Sequence, residues 1–245
     1  MSLIYGVHAV QALLQNPNRK IQHLYINDDR HDERFVKIRT LAQLAQVPIE
    51  NLTMVDINQR FKDILHQGVV ALADALPQYS ERDIPLLLAK INTMPLILIL
   101  DGVTDPHNLG ACLRSADAAG VHFVIIPKDK NAQLSPVVTK VACGATESIP
   151  LISVTNLVRT IELLKQQNIW IYGAAGEAET SIYQLDAKHP LAIVMGAEGS
   201  GLRRLTRVHC DALFSLPMLG QVSSLNVSVA TGVCLYEIMR QRKDY

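Results

Sequence analysis

The sequence lacks any apolar run long enough to cross a membrane. Its longest such run, residues 95–100, has the length of a strand, whereas a membrane-spanning helix needs about 18 apolar residues. The first fourteen residues carry no basic leader, and His8 and Gln11 interrupt their apolar character. The sequence therefore predicts neither a membrane span nor a signal peptide, and we expect a cytoplasmic protein.

Cysteine is also scarce. The four cysteines lie far apart and show no paired spacing: Cys112, Cys143, Cys210 and Cys234. Zinc sites and disulfide frameworks both need paired or regular spacings, so neither is expected here. We predict small thiols buried in a reducing cytosol, and no metal.

A basic excess is missing as well. The 23 lysines and arginines are balanced by 23 acidic residues, which gives a formal net charge of zero. Nucleic-acid-binding proteins usually carry a basic excess, so composition by itself gives no support for an RNA partner. Aromatic residues make up only 5% of the chain, which disfavours a broad platform for stacking bases.

What the chain does contain is alternating helical and strand periodicity. Within residues 1–74 this periodicity predicts a small α/β unit, with helical or strand patterns at 7–14, 21–26, 35–45 and 68–72. Residues 77–83 are polar and carry no period. We therefore interpret residues 75–91 as an interdomain linker.

Residues 92–245 have a different hydrophobic pattern. Their strands are unbroken apolar runs, at 96–100, 121–126, 169–174 and 191–195. Unbroken rather than alternating apolar strands are typical of a parallel sheet that is covered on both faces. The predicted fold class is therefore α/β, with a parallel-sheet C-terminal domain.

Three segments follow strand ends, where open α/β sheets bind their ligands. Residues 100–110 lead into a helix, and Asn108 is a candidate cap for it. Residues 194–202 hold three glycines around Glu198, which allows backbone to approach a ligand closely. Residues 216–228 enter the last helix through further candidate capping groups. Each segment alone is weak evidence, because caps and glycine turns are common.

Together, residues 101–120, 194–202 and 216–232 resemble the three ordered motifs of the SpoU (TrmH-like) branch of the SPOUT methyltransferases. Residues 4–10 and 66–69 are similar to the N-terminal RNA-binding unit of that family. The resemblance implies a C-terminal domain with a deep trefoil knot and an N-terminal L30e-like domain. It also implies a homodimer whose site is completed across the interface.

The same resemblance implies the reaction: a methyl group passes from S-adenosylmethionine to the ribose 2'-hydroxyl of a guanosine in 23S rRNA. Residues implied to bind the cofactor are Gly196, Leu216, Met218, Gly220 and Leu225. Residues implied to be catalytic are Arg114, Asn108, Glu198, Ser224 and Asn226. Arginine is almost always protonated, so we expect Arg114 to hold an RNA phosphate and stabilise charge on the 2'-oxygen, while the others orient the hydroxyl.

Other functions remain open. One alternative is 2'-O-methylation of tRNA, and another is a non-catalytic RNA-binding or ribosome-assembly module on the same fold. A Rossmann-type methyltransferase or dehydrogenase would need a glycine fingerprint after its first strand. The residues after Leu100 do not provide that fingerprint.

Overall fold

The structure is a computed structural model that describes residues 1–243. It contains two compact units. The N-terminal unit is Met1–Pro77 together with Ser135–Ser148, and the C-terminal unit is Gln78–Leu134 together with the chain from Ile149 onward. Over the described residues, no helix is both long enough and apolar enough to cross a membrane.

The N-terminal unit is built on a four-stranded mixed sheet in the order β1-β4-β2-β3. Its strands are β1 (Ser2–Tyr5), β2 (Ile21–Asn27), β3 (Ile49–Leu52) and β4 (Val69–Ala73). Its helices are α1 (Val7–Gln15), α2 (Glu33–Leu44), α3 (Met54–Arg60), α6 (Pro136–Val141) and α7 (Ala145–Ser148). Leu13 of α1, Leu24 of β2 and Phe35 of α2 are fully buried in the core of this unit.

The C-terminal unit contains a six-stranded sheet in the order β10-β8-β9-β5-β6-β7, and every neighbouring pair is parallel. Its strands are β5 (Leu96–Asp101), β6 (Phe123–Pro127), β7 (Leu151–Val154), β8 (Trp170–Ala174), β9 (Leu191–Gly196) and β10 (Ala212–Phe214). Its helices are α4 (Ile84–Ala89), α5 (Pro106–Ala118), α8 (Leu157–Gln166), α9 (Arg204–His209) and α10 (Val227–Arg242). The parallel sheet expected from the unbroken apolar strands is confirmed.

The segment predicted to be a linker differs from that expectation. It contains a short 3₁₀ helix, Glu81–Asp83, followed by α4, and Ile84 is fully buried in the core of the C-terminal unit. The carboxylate of Asp83 accepts hydrogen bonds from the backbone N–H and the hydroxyl of Ser80. The polar residues that looked like a linker are therefore partly capping groups.

The last helix, α10, runs along the parallel sheet from the carboxyl ends of its strands to their amino ends. It begins at its cap Asn226, beside Glu198, which follows β9. At its far end the Arg242 guanidinium donates four hydrogen bonds of 2.7–3.0 Å to the carbonyls of Met94, Pro95, Ala187 and His189. Burial lowers the pKa of Arg242 to about 10. Because Met94 and Pro95 precede β5 and His189 precedes β9, α10 runs antiparallel to these strands.

Candidate active site at the carboxyl edge of the parallel sheet

Three polar side chains meet at the carboxyl edge of the sheet: one from the first turn of α5, one from the loop after β9 and one from the cap of α10. The amide Nδ2 of Asn226 donates to Oδ1 of Asn108 at 3.0 Å and also to Oε1 of Glu198. Oε1 of Glu198 additionally accepts the backbone N–H of Val227 at 3.4 Å. Asn108 is half-buried, and Glu198 and Asn226 are exposed. The network therefore presents polar groups to solvent at the edge where a ligand of a parallel sheet is expected.

The local sequence explains why these side chains are available. Asp105, not Asn108, is the cap of α5: its carboxylate accepts the backbone N–H of His107 at 3.0 Å. The expectation that Asn108 caps this helix is wrong, because Pro106 fixes the first helical position one turn earlier. Asn108 thus lies inside the first turn of α5, and its side chain projects towards the start of α10.

Asn226 uses both ends of its amide. Its Oδ1 caps α10 by accepting the backbone N–H of Ser228 at 2.9 Å and the Ser228 hydroxyl at 2.6 Å. This leaves Nδ2 to donate to Asn108 and Glu198. The donation fixes the orientation of the Asn108 amide, since its oxygen must face Asn226. The Nδ2 of Asn108 is then left as a donor and Oε2 of Glu198 as an acceptor.

We call residues 196–202 the glycine loop. Its glycines have two different structural roles. A β-carbon on Gly196 would overlap the backbone of Gly201 and Leu202, so Gly196 allows the loop to fold back on β9. Ala197 and Gly201 exchange two backbone hydrogen bonds, of 2.9 and 3.1 Å. Gly199 and Gly201 have positive φ, with open space where a β-carbon would lie. The loop is therefore narrow at its base and has room at its tip.

The remaining predicted cofactor residues lie on an open loop between β10 and α10. Leu216 and Met218 are half-buried, whereas Gly220 and Leu225 are exposed. A β-carbon on Gly220 would meet no atom within 4 Å. Ser224, also exposed, lies two residues before Asn226. The hydrogen bonds of the network join Asn108, Glu198 and Asn226 alone among the predicted site residues.

Arg114 is exposed on α5, six residues after Asn108. By helix geometry it lies about 9 Å further along the axis and about 120° around it. The two side chains therefore leave α5 from different faces. Arg114 therefore lies on the same helix as Asn108, but its side chain is on a different face of that helix.

The sequence did not single out Asp101, and it offered Arg203 only as one of several basic residues near the cofactor, not as a partner of Asp101. Asp101 ends β5 and is fully buried, and its Oδ2 accepts the backbone N–H of Arg203 at 3.1 Å. One signal was visible in the sequence: a carboxylate closes a strand whose other five residues are all apolar. An ionised group in such a position needs a specific partner.

The cysteines behave partly as expected. None of the four, all within the described residues, forms a disulfide. Cys112 and Cys234 are buried, and burial raises the pKa of these thiols to about 11 and about 12, respectively. Cys143 and Cys210 are only half-buried. The two buried thiols are protonated at neutral pH and are therefore poor nucleophiles.

Two family models match this chain. Residues 95–236 match the model of the SpoU rRNA Methylase family, and residues 3–79 match that of the RNA 2'-O ribose methyltransferase substrate binding domain. The chain belongs to the SpoU rRNA methylase family. The network of Asn108, Glu198 and Asn226 thus lies wholly within the SpoU methylase region.

Full-length relatives of this SpoU methylase carry a more specific name. The chain is 54% identical over 242 residues to the 23S rRNA (guanosine-2'-O-)-methyltransferase RlmB of Photorhabdus laumondii, covering 99% of each chain. It is 54% identical over 240 residues to the protein of the same name from Escherichia coli K12, covering 98% of each.

Solved structures share the SpoU fold. The methyltransferase AviRb from Streptomyces viridochromogenes, in complex with the cofactor AdoMet, has a TM-score of 0.80 at 23% identity. The match covers 98% of this chain and 90% of that one. A structure described as an RNA 2'-O ribose methyltransferase has a TM-score of 0.78 at 25% identity, covering 98% of this chain and 88% of that one.

Proposed function

We propose that this SpoU methylase transfers a methyl group from S-adenosylmethionine to the ribose 2'-hydroxyl of a guanosine in 23S rRNA. The full-length relatives at 54% identity support this substrate. The observation that carries the proposal is the double donation from Asn226 to Asn108 and Glu198, because it sets a donor and an acceptor side by side at the sheet edge.

The loops fit S-adenosylmethionine as the donor. Gly199, Gly201 and Gly220 have open space where a β-carbon would lie, so a ligand can approach their backbone closely. Gly196, Leu216, Met218, Gly220 and Leu225 are the residues that would hold it. When bound, the sulfonium supplies an electrophilic methyl carbon. The protein's part is to align the attacking oxygen, which in favourable cases lowers a barrier by roughly 7–11 kcal/mol.

The polar network is suited to orienting a hydroxyl group. Nδ2 of Asn108 can donate to the 2'-oxygen, and Oε2 of Glu198 can accept the hydroxyl proton in a hydrogen bond. Asn226 holds both groups in place, and Ser224 adds a further hydroxyl from the same loop. Bulk water takes the hydroxyl proton as the oxygen attacks, so that negative charge develops on the 2'-oxygen; the exposure of Glu198 and Asn226 is consistent with this.

Arg114 would complete the site from a second copy of the chain. Its guanidinium leaves α5 on a different face from Asn108, so a homodimer can bring Arg114 of one copy to the network of the other. There it would hold an RNA phosphate and stabilise developing charge on the 2'-oxygen. The homodimer, the trefoil knot and the cytoplasmic location remain parts of this proposal.

A labelling experiment tests the proposed function. The protein is incubated with S-adenosylmethionine labelled at its methyl group and with unmodified 23S rRNA or unmodified tRNA. We expect label in 23S rRNA, on the 2'-oxygen of one guanosine. Label only in tRNA would support the alternative substrate, and RNA binding without label would support a non-catalytic module. Either result would contradict the proposal.

A further inference from the structure

Asp101 is a buried carboxylate that touches both ends of the glycine loop. Its backbone pairs in register with Gly196, where the loop leaves the sheet. Its side chain is fully buried and holds Arg203, where the loop ends: Oδ2 accepts the Arg203 backbone N–H at 3.1 Å, and Oδ1 lies 3.3 Å from the Arg203 Nε. Burying an ionised carboxylate is costly unless it is paired. The Arg203 guanidinium thus lies beside the buried carboxylate as an ion-pair partner, although Oδ1 of Asp101 accepts no hydrogen bond, and the pair closes the loop.

The Arg203 guanidinium extends this connection to a third loop. Its Nη2 donates to the carbonyls of Asp129 and Lys130, both at 3.3 Å, in the segment after β6. The same segment is tied to the end of β5, since Asn131 accepts the Gly102 backbone N–H at 3.1 Å. One arginine thus joins the segments that follow β5, β6 and β9. All three lie at the carboxyl edge of the sheet.

We propose that Asp101 and Arg203 are positioning residues that preform the glycine loop for S-adenosylmethionine; this inference rests on the proposed function. A loop that is not held in its binding conformation must be ordered when the cofactor binds, and the cost weakens the measured affinity. Once the cofactor is bound, the loop is ordered again. Loss of the pair therefore raises the Kd and KM for the cofactor far more than it lowers kcat.

The test compares Arg203→Met with Arg159→Met, which removes an exposed arginine from α8. Calorimetry measures the Kd for S-adenosylmethionine without any reaction. We expect Arg203→Met to raise this Kd about tenfold, equivalent to about 1.4 kcal/mol. We expect KM to rise in parallel, with kcat at saturating cofactor within about threefold of the parent. Arg159→Met should match the parent in all three quantities.

Asp101→Asn provides a second, independent variant. It keeps an oxygen that can accept the Arg203 backbone N–H but removes the charge that faces the guanidinium, so we expect a smaller rise in Kd. In the double variant the two effects should be less than additive, because both remove one interaction. Faster hydrogen exchange of the Gly201 and Arg203 amides, reversed by the cofactor, should accompany the rise in Kd. If Arg203→Met does not fold, the Kd of Asp101→Asn for S-adenosylmethionine alone tests the positioning role.

The outcomes separate this inference from the proposed function. If the parent binds S-adenosylmethionine and both variants bind it equally well, the positioning role is wrong while the proposed function stands. A lower melting temperature and kcat with unchanged Kd would show a purely structural role and would also overturn it. If the parent does not bind S-adenosylmethionine at all, the proposed function itself fails.

Discussion

The amide of Asn226 donates to the side-chain oxygen of Asn108, 118 residues earlier in the chain. This bond connects the cap of α10 to the first turn of α5, and the same amide also donates to Glu198. One side chain therefore starts a helix with its oxygen and organises a polar network with its nitrogen. The two roles can be separated by substitution.

Asn226→Asp should keep the cap and lose the network. An aspartate oxygen can still accept the Ser228 backbone N–H, but no amide remains to donate to Asn108, and two carboxylates now face each other. We expect methyl transfer to 23S rRNA to fall by about two orders of magnitude, with a change in melting temperature of only a few degrees. Single-turnover assays and thermal denaturation measure the two effects.

The matched control is Asn156→Asp, since Asn156 caps α8 by accepting the Arg159 backbone N–H at 3.1 Å. This variant should keep the parental rate of methyl transfer. Parental activity in Asn226→Asp would show that the donation to Asn108 and Glu198 is not needed for the reaction.

Gly196→Ala should damage the glycine loop from within. The added methyl group would overlap the backbone of Gly201 and Leu202, so the loop must move away from β9. We expect the Kd for S-adenosylmethionine to rise at least tenfold, about 1.4 kcal/mol or more, by calorimetry. Gly176→Ala is the control, because its β-carbon would meet no atom within 4 Å. Equal affinity in the two variants would remove the glycine loop from the cofactor site.

Arg114→Ala should separate binding from chemistry. Arg114 is proposed to hold RNA and stabilise charge, not to contact the cofactor, so its loss should leave the Kd for S-adenosylmethionine unchanged. Removal of such a charge-stabilising group lowers kcat by about two to three orders of magnitude. His107→Ala, seven residues earlier on α5, is the control and should methylate at the parental rate. Methylation by Arg114→Ala at the parental rate would refute the assignment.

Mixing two variants tests whether Arg114 acts on a second copy: Arg114→Ala, and Glu198→Gln, which should also be impaired because it loses the carboxylate that orients the hydroxyl. Arg114→Ala and Glu198→Gln are unfolded and refolded together so that mixed dimers form. In a shared-site dimer, one of the two sites in each mixed pair contains both native residues, so about a quarter of all sites should be active. No recovery of activity would place Arg114 in the same copy as Glu198.

The sequence predicted four of the six strands of the parallel sheet, β5, β6, β8 and β9, because these are unbroken apolar runs; β7 and β10 were not predicted as such runs. All six residues of β5 are buried, and an unbroken apolar run at this length predicts a covered parallel strand. The short elements of the N-terminal unit were missed. β1 and β3 are edge strands, with one buried residue and none, respectively, so neither carries a clear period. In α3, Ile57 alone is buried.

The candidate site was predicted from motif resemblance, not from geometry. Sequence could name Asn108, Glu198 and Asn226 but could not show that a single amide joins them, because the contacts span 28 to 118 residues. It also could not distinguish Asp105 from Asn108 as the cap of α5, since both are good capping residues in one segment. The role of Asp101 depends on a partner 102 residues away.

The turn at His66 should make stability depend on pH. His66 is buried; its Nδ1 accepts the Gly68 backbone N–H at 3.1 Å and its Nε2 lies 2.9 Å from Oδ1 of Asn58. Burial lowers the pKa of His66 below the ordinary value of 6.5. As pH falls below about 6.5, the unfolded chain takes up the proton first, so the free energy of unfolding decreases until the folded-state pKa is passed.

Chemical denaturation between about pH 7.5 and pH 5.5 measures this effect. His66→Asn cannot titrate in this range, so its free energy of unfolding should fall less over the same interval than that of the parent. His31→Asn removes an exposed histidine and should keep the parental pH dependence. If the free energy of unfolding falls equally in His66→Asn and the parent, protonation of His66 is not the cause of the pH dependence.

The Arg242 guanidinium should be a major anchor of α10. It donates to four carbonyls that precede β5 and β9, and those carbonyls lose their charged partner when the side chain is removed. Hydrogen bonds to charged groups contribute about 1.5–3 kcal/mol each, and water can replace part of this at a half-buried position. We expect Arg242→Ala to lower the free energy of unfolding by about 3 kcal/mol.

Arg240→Ala is the control, since Arg240 is exposed and pairs with Glu237 on its own helix. It should cost much less than Arg242→Ala, and equal losses in the two variants would show that the carbonyl contacts of Arg242 add nothing to stability.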